Sequence, residues 1–182
     1  ISPAAGFRVV FSHISMVITN SLLFGVFLGL LLITLLLGSF FRSIPFGVLS
    51  AFPNVLPIAS AFGIWALYDG QVGFMVAAGM GSTLGIIVDF TVHLLSKYDL
   101  ARREMGQSPE EAVVFAFESV GFALIVMTIV ISLGFLVLNL VNFMPLHDFA
   151  RFSTISFIMA LIIDFLLFPN LLVKFDKRKF NY

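Results

Sequence analysis

The sequence predicts an all-α fold, a polytopic membrane bundle of five transmembrane helices plus a short cytoplasmic amphipathic helix. Three observations lead to it. The 182 residues are 60% hydrophobic and only 11% charged, with 23 Phe and no Cys, and a mean hydropathy of +1.10 is too apolar for a chain whose surface faces water. Five apolar stretches each reach the ~20 residues that a helix needs to cross a hydrocarbon core of about 30 Å. The stretches are also continuous, where a membrane strand would alternate over about 10 residues.

The first span is expected over residues 18–41, within a charge-free run from Val9 to Phe41 that ends at Arg42. The preceding 1–17 reads as a linker. The second, 44–67, has Pro45 in its first turn, where proline is tolerated. It then carries Pro53 and Pro57, which should kink or break it and act as a hinge. The third, 73–96, contains Asp89; the fourth covers 119–140; the fifth, 152–173, contains Asp164. Between the third and fourth spans, Ser108-Pro109-Glu110-Glu111 has the pattern of a capping box with Pro at the first helical position, so an amphipathic helix is expected over 108–118. Val113, Val114 and Phe117 would then lie along the membrane surface. Residues 174–182 form a basic tail.

Orientation follows from the Lys and Arg positions. Arg42, Lys97, Arg102, Arg103, Lys174, Lys177, Arg178 and Lys179 fall on one side, and Arg8 and Arg151 on the other. Positive charge marks the cytoplasmic side, which places Ile1 outside and Tyr182 inside. The chain starts Ile1-Ser2-Pro3 with neither an initiator Met nor a charged leader, and is expected to be a piece of a longer protein.

A carboxylate in lipid costs several kcal/mol, so an acidic residue inside a span is a functional candidate. At 1.5 Å per residue, Asp89 lies about 12 Å from Lys97 and Asp164 about 15 Å from Lys174, with Thr128 at a comparable depth on the fourth span. These three suggest a buried polar layer. Desolvation favours the neutral form of a carboxyl group, as does a second carboxyl nearby, so such a layer suits proton uptake and release. His93, one turn from Asp89, could pass protons or simply satisfy a hydrogen bond. Gly79, Gly81 and Gly85 thin one face of the third span, where another backbone could approach.

Other chemistries lack support. His13, His93 and His147 show no metal-ligand spacing, and no glycine loop opens a helix to hold phosphate. Ser39, Ser132 and Ser153 have no local base. A formal net charge of zero offers no field for nucleic acid. Neither an enzyme nor a bound cofactor is expected.

The segment Gly85-Ile86-Ile87-Val88-Asp89-Phe90-Thr91-Val92-His93 resembles the GxxxD segment of the resistance-nodulation-division (RND) superfamily. Phe41-Arg42-Ser43, then Pro53-Asn54-Val55-Leu56-Pro57, resembles the first connector and kinked second helix of its repeat, and Asp164-Phe165-Leu166-Leu167-Phe168-Pro169 the end of its last helix. The resemblance implies helices two to six of one six-helix half, with 1–15 leaving an extracytoplasmic porter domain; the basic tail suggests the C-terminal half. It further implies a proton-gradient-driven exporter of lipids or other hydrophobic or amphiphilic cargo in the cytoplasmic membrane. Asp89 would be its proton carrier and Gly85 its motif glycine, and the partners would be membrane lipid, the other helix half and a homo-oligomer. Phe90 stands where lipid-exporting relatives often carry Tyr, and Phe90-Thr91 does not fit the Ala-Asn of the protein-translocation members. Two alternatives share the same helices, a sterol- or hopanoid-sensing protein that does not pump, and a structural subunit.

Overall fold

The computed structural model describes residues 3–40, 44–68 and 71–176. The Phe41-Arg42-Ser43 connector, Asp69-Gly70, and the basic residues Lys177, Arg178 and Lys179 lie outside the described residues. Among those described all regular secondary structure is helical, as expected, and five helices are long and apolar enough to cross a membrane.

Helix α1 (Pro3–Phe40) is one element of 38 residues. At 1.5 Å per residue it extends for about 57 Å, well beyond a hydrocarbon core of about 30 Å. The stretch read from sequence as a linker is therefore the same helix as the first span. No proline interrupts the chain after Pro3 until Pro45, so nothing stops the helix earlier. Helix α2 (Ile44–Tyr68) returns alongside it. Their crossing depends on bare backbone, since a Cβ on Gly47 would come within 2.6 Å of the Gly38 Cα.

Helix α3 (Phe74–Arg103) ends in a tight turn in which Gly106 adopts φ 66°, a conformation open to glycine at little cost. Helix α4 (Pro109–Ala116) starts with the expected capping box: the Ser108 hydroxyl accepts from the Glu111 N–H, and the Glu111 carboxylate accepts from the Ser108 N–H. It does not lie apart from the bundle. Ala112 and Ala116 are buried, and Val113 and Phe117 pack against the core, leaving Val114 exposed. A π-helical turn over Phe117–Gly121 then leads without a break into α5 (Phe122–Val137), which a 3₁₀ turn ends at Leu140. Helix α6 (Met144–Leu166) passes down the middle of the bundle against α2, α3 and α5, and α7 (Phe168–Phe175) follows it after a single residue.

Contacts between side chains fix the helix directions. The start of α6 meets the start of α3, where Ser153 and Phe149 lie against Gly79. The end of α7 meets the end of α3, so α3 and α6 run in the same direction. Helix α2 runs against both, because its last turns bring Phe62 and Trp65 to Phe152, with ring centroids 4.9 and 6.1 Å apart.

At the end that carries the α3–α4 turn, a buried polar clasp closes the bundle. Asp176 accepts from the Tyr98 hydroxyl at 2.8 Å and from Arg102 Nε at 3.0 Å, and Arg102 also donates from Nη1 to the Gln107 carbonyl. Removing one member of a buried ion pair strands the other charge, at a cost of about 3–5 kcal/mol. Arg102→Met should therefore lower thermal stability in detergent far more than Arg103→Met, whose partner Asp99 is only one helical turn away and partly exposed. Equal melting points for the two variants would show that the clasp contributes nothing.

Candidate functional site: two polar faces of one helix

Helix α3 carries polar groups on opposite sides. Gly81, Gly85, Asp89 and His93 recur every four residues and so form one stripe. All four are exposed. The Asp89 and His93 side chains are 51% and 55% accessible, and Asp89 Oδ1 lies 3.5 Å from His93 Nε2. A Cβ on Gly85 would meet nothing, and one on Gly81 only a Val26 methyl at 3.7 Å. Of the three glycines, Gly79 alone makes the close approach expected of them: its Cβ position lies 3.2 Å from Ser153 Oγ and 3.4 Å from the Phe149 carbonyl.

Two residues past Asp89 is a turn of about 200° around the helix, and Thr91 accordingly faces the interior, with Phe90 and Ile87 also fully buried. Its hydroxyl donates to Asn54 Oδ1 on α2 at 3.1 Å, and is also within 3.3 Å of the Ile87 carbonyl. Asn54 Nδ2 donates to the Ser50 carbonyl at 2.7 Å, and the Ser50 hydroxyl to that of Gly47 at 2.7 Å. These bonds brace the part of α2 that Pro53 weakens. Neither Pro53 nor Pro57 breaks the helix; both are buried within it. Each removes an N–H, so the carbonyls of Leu49 and Pro53 have no helical donor.

Asp164 is fully buried on α6, and neither of its carboxyl oxygens has a hydrogen-bond partner. Its level can be read from the contacts above. It lies twelve residues beyond Phe152, and twelve before Phe62 and Trp65 stand Ser50 and Pro53. Counting eleven residues from the Gly79–Ser153 contact reaches Phe90 on α3 and Asp164 on α6. Asp164 is therefore level with the Asn54–Thr91 bond to within about one turn along the bundle.

Asn54, Thr91 and Asp164 thus form one inner polar layer, and of the Asp89, Thr128 and Asp164 suggested by depth alone it is Asp89 that is turned outward. Asp89 is at a similar depth but points the other way. Thr128 is buried on α5 and donates to the Leu124 carbonyl at 2.8 Å. Asn54 could have been suspected from its place between two prolines; Thr91 gave no signal, since a threonine in an apolar helix commonly bonds its own backbone.

No protein-family model matches the chain. It is similar to a protein of Methanocaldococcus jannaschii named "Putative membrane protein", at 27% identity over 146 residues, which is 80% of this chain and 37% of that relative. The chain thus spans little more than a third of the relative's length. With five apolar helices of spanning length, it is a membrane protein.

The two classes of glycine can be separated by substitution. Gly47→Ala forces backbone apart and should destabilise the bundle by about 1–3 kcal/mol, whereas Gly85→Ala adds a methyl group in open space and should leave thermal unfolding of this chain unchanged or slightly raised. Equal loss in both variants would mean that the α1–α2 crossing is not as tight as described.

Proposed function

We infer that this chain is the membrane half of a proton-driven exporter of the RND type, moving lipids or other hydrophobic or amphiphilic molecules. One observation carries the reading: the exposed Asp89–His93 pair at the end of a stripe of small residues on a membrane helix. A carboxyl and an imidazole turned toward lipid are costly, and such residues normally face a bundle interior or a water-filled path. Gly81 and Gly85 provide room for a second helix to come close. The cover is then a second set of helices, the other half of the transporter, and the pair lies at the seam between the halves.

In that position Asp89 can take a proton from one side of the membrane and release it to the other, with His93 one turn along as relay. The driving force is the proton gradient, and neither enzymatic chemistry nor a bound cofactor is part of this reading. The greater length of the archaeal relative leaves room for a second half. Lys and Arg excess places the α3–α4 turn in the cytoplasm, so a cysteine introduced at Gln107 should react with an impermeant thiol reagent only after the cells are opened.

Asp89→Asn keeps the size and much of the hydrogen bonding of a protonated aspartate, so the helices should assemble normally. At matched abundance in reconstituted vesicles, the full-length parent carrying it should lose pH-gradient-driven flux, and Asp89→Glu, with its carboxyl displaced by about 1 Å, should keep part. Undiminished flux in Asp89→Asn would remove the proton-carrier reading and leave a structural or lipid-sensing role.

A further inference from the structure

The inner layer has a chemistry of its own, independent of the Asp89 stripe. It lies between two apolar clusters. One, toward the start of α3, ends at Ile58, Ile87 and Ala160; the other, toward the clasp, begins at Leu49, Phe90 and Phe168. Asn54, Thr91 and Asp164 lie on the three mutually packed helices α2, α3 and α6 where these clusters adjoin, with Ile33 and Ile86 packed against both.

The layer has fewer hydrogen-bond donors than acceptors. The Thr91 hydroxyl proton is taken by Asn54 Oδ1, the Ser50 proton by the Gly47 carbonyl, and one Asn54 amide proton by the Ser50 carbonyl. One further Asn54 amide proton remains, and against it stand two carboxyl oxygens with no partner and the Leu49 and Pro53 carbonyls, which the prolines deprive of helical donors. The layer is rich in oxygen lone pairs and poor in hydrogens. A single proton on Asp164 would serve one oxygen and leave the carbonyls as they are. An alkali cation is coordinated by several oxygens at once, and backbone carbonyls that lack a helical donor can be among them. One negative charge in an apolar enclosure selects a monovalent ion, because a divalent one would leave net charge uncompensated there.

We propose that Asp164, together with Thr91, Asn54 and the proline-freed carbonyls of α2, binds one monovalent cation of sodium's size. The ion bridges α2, α3 and α6 at the level where the two apolar clusters meet.

The test uses the purified full-length parent in detergent at fixed pH, with NaCl compared against choline chloride at equal ionic strength. Sodium should raise the thermal unfolding midpoint in a saturable way, and radioactive ²²Na⁺ should be retained at one site per chain. Asp164→Asn should abolish both effects, and Thr91→Val should weaken the half-saturating sodium concentration about tenfold or more. Asp89→Asn should keep the full response, which separates this site from the proposed proton carrier. Identical midpoints in the two salts for the unaltered protein, or an undiminished response in Asp164→Asn, would overturn the proposal. If Asp164→Asn does not fold, Thr91→Val decides: a sodium response with unchanged half-saturation overturns it.

Discussion

Inside a bilayer there is no water to complete the hydrogen bonding of a polar side chain, and each such group must be satisfied by protein, by an ion or by a proton. That constraint organises this bundle more than apolar packing does, because lipid tails are as apolar as Leu and drive helices together only weakly. Several close approaches between helices here are made through small or polar residues. Gly38 and Gly47 let α1 and α2 touch, Gly79 admits α6 against α3, and Thr91 and Asn54 join α3 to α2. The polar clasp of Tyr98, Arg102 and Asp176 closes one end.

The helical class and the number of spans were legible because a continuous apolar run of 20 residues has one reading in lipid. The start of α4 was legible for a different reason. A capping box is local chemistry, and Ser108 and Glu111 satisfy each other's backbone groups whatever surrounds them. The direction of each polar side chain was not legible. In a water-soluble helix the polar face marks the outside, but a membrane helix is apolar on both its lipid side and its packed side. Nothing in the pattern around Asp89 and Thr91 says which of them points inward. Asp89 is exposed and Asp164 fully buried, and a residue's position along an apolar helix carries no information about this difference.

The junction of α4 and α5 shows how tertiary packing overrides local preference. Sequence suggested a surface helix followed by a separate span, and the structure joins them through a π-helical turn at Phe117–Gly121. A π turn inserts an extra residue into the helix without ending it. Here Phe117 is carried inward, where its ring packs against Phe165 with centroids 4.9 Å apart, and Gly121 leaves space for both rings. The irregularity thus fastens the α4–α5 junction to α6 one residue beyond Asp164.

The two polar faces differ in chemistry but are carried by one rod. Asp89 and Thr91 are about 3 Å apart along the axis of α3 and about 200° apart around it. Gly79 packs against α6 near one end of that rod, and the Arg102–Asp176 pair fastens the other to the end of α7. Between these fixed ends, a twist that re-aims Asp89 re-aims Thr91 through the same angle and stretches or relaxes its bond to Asn54. Coupling between sites needs an element whose position both of them bias, and α3 meets that condition with no chain of intermediates. The braces on α2 set how freely it can respond: with Leu49 and Pro53 lacking helical donors, α2 is the softer side of the Asn54–Thr91 bond. Movement of α3 would therefore be taken up at the proline segment before it disturbed the apolar clusters on either side.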